Sequence, residues 1–208
     1  MKRRSGILIY GDLVESSGIT AESDLHGRLS LLEAQFSGET GDANFTIWKG
    51  LDEIMLLARN WNCAMSSILL IQEMLHPFKY RYEVMPINDI EKGKPIHKLT
   101  NPEFAIIADR MSRLKETELL INMEDENNAK LIETSGLVLN LLLLRKGEFT
   151  ANQMQQYRLH KKGLNQKEIA KELSVSQQSV SKTLNQIQFN SIATIEERLL
   201  NLFTDGTN

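Results

Sequence analysis

The chain is predicted to be an α+β protein, with an α+β N-terminal domain and an all-helical C-terminal one. Three observations carry that expectation. Strand-like and helix-like segments alternate over the first half, an acidic polar stretch interrupts them near residues 122–128, and only helical patterns follow.

Residues 6–14 read as a strand ending in Gly11-Asp12, and residues 21–36 repeat leucines at 25, 29 and 32 in helical spacing. A polar, glycine-containing break covers 37–42. Residues 44–49 and 54–58 then read as a hairpin turning at 50–53. An apolar helix over 60–75 is stopped by His76-Pro77, and residues 79–90 form a further strand. Pro86 lacks a ladder donor, so it marks an interruption or an edge. A turn-rich stretch over 92–101 leads into a helix over 102–115, with Pro102 at a position that tolerates proline. This order implies a mostly antiparallel sheet with helices on one face. The boundary falls at 126/127, giving a sensor or assembly domain over 1–126 and a helical domain over 127–208. Within the second, 129–146 reads as a connecting helix and 150–162 as a supporting one. The leucine cluster at 141–144 reads as domain-interface core. A last amphipathic helix over 192–203 presents Ile195, Leu199, Leu202 and Phe203 to the N-terminal domain or to a second subunit.

Composition excludes several classes. The chain has 208 residues, 41% of them hydrophobic, which is ordinary for a globular protein. Its basic start precedes four apolar residues, too few for a signal-peptide core, and its longest apolar run, 137–144, interrupted by Asn140, is too short to span a bilayer. A soluble, cytoplasmic protein is expected. The one cysteine, Cys63, reads as a small hydrophobe, and His26, His76, His97 and His160 are scattered, so no metal or other cofactor is expected. Trp48 and Trp61, in apolar segments, read as core aromatics. The net charge of −3 is unevenly spread: residues 145–186 hold eight Lys and Arg against three Asp and Glu, a net of +5. A basic segment of this kind suits phosphate contacts.

That segment contains GLNQKEIAKELSVSQQSVSKTLNQ, from Gly163 to Gln186. Asn165 caps a first helix over 166–173, with Glu168 completing a capping box. A turn at Ser174 and Val175 follows, and Ser176 caps a second helix carrying Val180, Leu184 and Ile187. The pattern is that of a helix-turn-helix. Ala170 is small enough for a helix crossing, and Ile169, Leu173, Val175, Val180 and Leu184 form an apolar seam. The rest of the second helix is polar. Ser176, Gln177, Gln178, Ser179, Ser181, Lys182 and Asn185 suit base edges in a major groove, while Gln166, Lys167, Lys161 and Lys162 suit phosphates. The expected partner is double-stranded DNA, bound by a homodimer so that two half-sites combine. The competing readings are a helical hairpin inside a larger core and a helix pair used for protein contact.

GDLVES at 11–16, FTIWKGLDEI at 45–54, NPEFAIIADRM at 101–111 and the terminal KKGLNQKEIAKELSVSQQSVSKTL together resemble the bacterial SatD family. The resemblance covers most of the chain. It implies a ferredoxin-like, nucleotide-cyclase-type palm with helices on one face of an antiparallel sheet, joined to a C-terminal helix-turn-helix, in a transcriptional regulator. In catalytic palms, carboxylates on the first strand and in a Gly-Asp-Glu hairpin hold divalent metals against a nucleoside triphosphate. Asp12, Asp52 and Glu53 fall at those places, so an alternative is a magnesium-dependent nucleotide-binding or cyclase-like enzyme or sensor. Leu51 stands where the hairpin glycine belongs, which points to a degenerate site, no catalysis, and at most a small-molecule or nucleotide effector.

Overall fold

The computed structural model describes residues 3–14, 22–36, 43–91 and 93–203. The polar break at 37–42 and the last two residues of GDLVES, 15 and 16, lie outside them. Elements β1 (Arg3–Leu13), α1 (Glu22–Phe36), β2 (Ala43–Lys49), β3 (Glu53–Ala58), α2 (Trp61–Leu75), β4 (Tyr80–Glu91) and α3 (Glu103–Leu114) follow the expected order. They are succeeded by β5 (Ile121–Met123), α4 (Ala129–Gly147), α5 (Ala151–Lys161), α6 (Gln166–Glu172), α7 (Gln177–Gln186) and α8 (Phe189–Asn201). The protein is thus α+β, with a five-stranded mixed sheet and eight α-helices among the described residues.

The sheet runs β2-β3-β1-β4-β5, antiparallel except for the parallel pairing of β4 with β5. Three residues are too few to show an alternation in sequence, which is why β5 was not anticipated within the acidic stretch. It pairs only with Tyr82, Glu83 and Val84, so Pro86 lies in a part of β4 that has β1 alone as a neighbour. Beyond the end of β5, Asn101 and Glu103 bond the backbone of Asn88 and cover that open edge. Gly11 allows a close approach: a Cβ there would lie 2.6 Å from Cγ1 of Ile54 on β3.

The helices cover both faces of the sheet, not one. Ile7, Ile9 and Leu13 point into a large cluster with α1, α2 and the C-terminal helices, while Leu8 and Tyr10 point into a second cluster with Ile107, Met111 and Leu114 of α3. The run of four apolar residues at 7–10 carries that signal, because a strand apolar on both sides must be buried on both. Trp61 is buried and its Nε1 donates to Asp125 at 3.0 Å, whereas Trp48 is half-buried and stacks on Phe104. Cys63 is half-buried beside the large cluster.

Two further expectations change. Helix α4 does more than connect: Ile132, Leu139, Leu142 and Leu143 are buried in the large cluster, although Leu141 and Leu144 of the leucine run are exposed. Helix α8 begins at Phe189 and buries Ile192, Glu196 and Leu199, leaving Ile195 and Leu202 outside. The inward glutamate moves the buried stripe round the helix. Among the described residues, no helix is long and apolar enough to cross a membrane.

Glu196 belongs to a buried ionic network. Lys146 Nζ of α4 lies 2.5 Å from Glu73 Oε1 of α2 and 2.6 Å from Glu196 Oε1 of α8. Lys161 Nζ at the end of α5 lies 2.6 Å from the same Glu73 oxygen and 2.8 Å from Glu196 Oε2. Lys146 is fully buried and also sits 4.6 Å from the centre of the Tyr157 ring, so a cation–π contact adds to the two ion pairs. Burial opposes ionisation of Glu196, but the fields of Lys146 and Lys161 outweigh it and hold the carboxyl below its usual range. Two ties run alongside: Asn62 donates to Leu200 O at 2.9 Å, and His76 Nε2–H donates to Phe149 O at 2.7 Å. Removing one partner from such a network leaves a buried charge under-compensated. Lys146→Met is therefore expected to lower unfolding stability by about 3–5 kcal/mol in urea titrations near neutral pH.

Candidate nucleic-acid interface

Helices α5, α6 and α7 form at the predicted places because their ends are capped by side chains. Thr150 and Gln153 form a capping box on α5, and Asn165 and Glu168 form one on α6. Asn165 Oδ1 accepts from the amides of Lys167 at 3.0 Å and Glu168 at 3.1 Å, while Glu168 Oε2 accepts from Asn165 N at 2.7 Å. Ser176 Oγ caps α7 by accepting from Ser179 N at 3.1 Å.

The links between these helices share one geometry. After α5, Gly163 adopts φ +95°, and Leu164 N donates back to Leu159 O at 3.2 Å. After α6, Ser174 adopts φ +53°, and Val175 N donates to Ala170 O at 3.0 Å. Both are Schellman ends, in which a left-handed residue turns the chain sharply out of a helix. The second uses serine where glycine is usual, so sequence alone gave no sign of a left-handed residue. His160 Nδ1–H donates to Leu164 O at 2.7 Å and braces the first link.

Behind α7, the apolar seam forms largely as expected. Ile169, Ala170, Val180, Leu184 and Ile187 are buried and Leu173 is partly so, but Val175 is exposed and lies outside the seam. In front, Ser176, Gln177, Gln178, Ser179, Lys182 and Asn185 are all exposed, and Ser181 is half-buried. Gln166 and Lys167, at the start of α6, share an open cleft with Gln177, at the start of α7. Two of the residues assigned to phosphate thus lie beside the first turn of α7.

Lys161 does not belong with them. Its ammonium is directed inward to Glu73 and Glu196, and these acids raise its pKa against the opposing effect of burial. The count of +5 for residues 145–186 therefore overstates the outward charge, because Lys146 and Lys161 are committed to the buried network and Arg145 pairs with Glu148 at 2.9 Å. Arg158, Lys162, Lys167, Lys171 and Lys182 remain as the outward cations of this segment. Spacing in the sequence had no means of separating the two groups, since the acids that claim Lys146 lie 73 and 50 residues away and those that claim Lys161 lie 88 and 35.

The carboxylates of the sheet, Asp12, Asp52 and Glu53, do not converge as a metal trio. Asp12 faces Glu53 across the β1–β3 ladder, but its Oδ1 accepts from Lys115 Nζ at 2.7 Å, while Asp52 is exposed in the hairpin turn. Gly50, not residue 51, takes the positive φ of that turn. Among the described residues, no group of three His, Cys, Asp or Glu side chains is placed to hold a metal. A different acid on this face is the perturbed one. Glu83 is buried, and burial pushes its pKa up to about 7 despite a 3.0 Å hydrogen bond from Asn122. Comparison of the chain with family models, with curated proteins and with solved structures finds no match.

Glu83 gives stability a defined pH dependence. The folded state holds this proton up to about pH 7, whereas the unfolded chain releases it near 4.5, so the associated stability is full below 4.5 and is lost as pH rises through 7. Glu83→Gln keeps an acceptor for Asn122 and does not ionise. It should raise stability at pH 8 by up to about 3 kcal/mol while changing it little at pH 4.5, as read by urea midpoints at the two pH values. An equal gain at both would contradict the assignment.

Proposed function

We propose that the chain is a DNA-binding transcriptional regulator of the SatD type, in which α6 and α7 act as a helix-turn-helix and α7 enters the major groove. The observation that carries this reading is the division of α7. Val180 and Leu184 anchor it on α5 and α6, while five side chains with hydrogen-bonding or charged ends, Gln177, Gln178, Ser179, Lys182 and Asn185, stand free in solvent. Glutamine and asparagine pair in a bidentate manner with adenine, and lysine reaches guanine or phosphate. Lys167 and Gln166 take phosphates beside the first turn of α7; Lys162, which lines a separate cavity with Arg158 and Lys161, does not join them. A hairpin buried in a larger core would not leave this face open.

In this reading the sheet domain is a non-catalytic sensor or assembly unit. The order β1-α1-β2-β3-α2-β4, with antiparallel neighbours β2-β3-β1-β4, supports a ferredoxin-like or palm-type arrangement for it. The engagement of Asp12 by Lys115 supports the absence of metal-dependent chemistry. Homodimerisation would place two copies of α7 over two half-sites.

Fluorescence anisotropy with duplex DNA tests the proposal. Binding should weaken linearly in log–log plots against salt, and Lys167→Ala or Lys182→Ala should each reduce the slope by about 1. Gln178→Ala should cost about 1–3 kcal/mol on a preferred sequence and little on an unrelated one. Binding that is indifferent to all three substitutions would rule out this face as the interface.

A further inference from the structure

The buried network borders a cavity of about 360 Å3 between α2, α5 and α8, with Gln35 near the end of α1 also on its lining. Its wall is mostly apolar, from Leu69, Leu70 and Met74 of α2 and Leu200 of α8, with Ser66 and Gln35 as uncharged polar residues on it. Its rim is cationic. Arg158, Lys161 and Lys162 line one side, all at the end of α5 that leads into α6. Glu73 also reaches the cavity, but the two acids of the network are matched by two lysines, so they neutralise one another. Arg158 and Lys162 have no carboxylate partner among the described residues and supply the excess positive charge. An apolar chamber with a few convergent polar groups at its mouth is the usual form of a small-ligand site, and the volume lies in the range of such sites.

We infer that this cavity binds a small anionic amphiphile, a carboxylate, sulfonate or phosphate head on an apolar body. The body lies against Leu69, Leu70 and Leu200, and the head is held by Arg158 and Lys162. A second anion placed beside Lys161 competes with Glu73 and Glu196 for its ammonium. The hold of the network on the end of α5 then weakens. Because Lys161 is two residues from the Gly163 link into α6, the ligand reports on the orientation of α6 and α7. As a regulatory device this rests on the DNA-binding reading; ligand binding itself does not, and it is measured without DNA.

The test is a fluorescence titration of the full chain with 1-anilinonaphthalene-8-sulfonate, an anionic aromatic probe, followed by displacement. Octanoate should displace the probe at least tenfold more effectively than octanol, which has the same tail and no charge. The double substitution Arg158→Gln and Lys162→Gln should weaken probe binding at least fivefold, with a thermal transition like that of the parent chain. Leu141→Ser, on the exposed face of α4, should leave binding unchanged. Equal displacement by octanol, or binding lost through Leu141→Ser instead, would overturn the inference. If DNA binding fails while the octanoate preference holds, the ligand site stands and its regulatory role falls.

Discussion

Two lysines and two glutamates from four helices meet in one cluster, buried at Glu73, Lys146 and Glu196 and open to solvent at Lys161, and the placement of the C-terminal helices depends on it. Glu73 comes from the helix that lines the sheet, Lys146 from α4, Lys161 from α5 and Glu196 from α8. Apolar packing alone tolerates sliding, whereas a buried charge tolerates only positions where its partner is present. With Lys146 sealed from solvent, the alternatives to this arrangement each strand a charge in a low-dielectric interior. Two carboxylates would repel at this separation without the lysines between them, so each pair requires the other.

What lies outside the cluster follows from that fixed frame. With α5 held at its end by Lys161, the two Schellman links set the directions of α6 and α7, and capping side chains make those short helices persist. Seven and ten residues would not be stable helices in isolation. Their stability comes from burying Ile169, Val180, Leu184 and Ile187 against α5 and α8, which leaves the opposite face of α7 without structural duties. A polar face with no part in the core is available for recognition, and on that ground DNA binding is proposed.

Local signals in the sequence were the ones that could be read. The capping box at Asn165 and Glu168, the Ser176 cap and the 180/184 spacing each involve residues within a few positions, and the helices begin where those patterns say. Short apolar, β-rich segments bounded by turn residues placed β1 to β4 within a few residues. Most of the misses share a cause. The strand β5, the burial of α4 and the inward turn of Lys161 are set by partners distant in sequence, whereas the second covered face of the sheet was written locally, in the unbroken apolar run at 7–10. Ser174 is a variant of the same problem, since a left-handed serine carries no glycine to announce it. Asp12 is a candidate only through the resemblance to catalytic palms, and only the fold shows that Lys115, 103 residues away, has claimed it.

The most direct test of the account is selection of bound duplexes from a random-sequence pool by the full-length protein. The protein should enrich a short recurring sequence containing adenines that the glutamines of α7 can pair, and Gln177→Ala/Gln178→Ala protein should lose that enrichment. A pool that stays random after repeated rounds, or an enriched sequence that survives unchanged in the double variant, would contradict it.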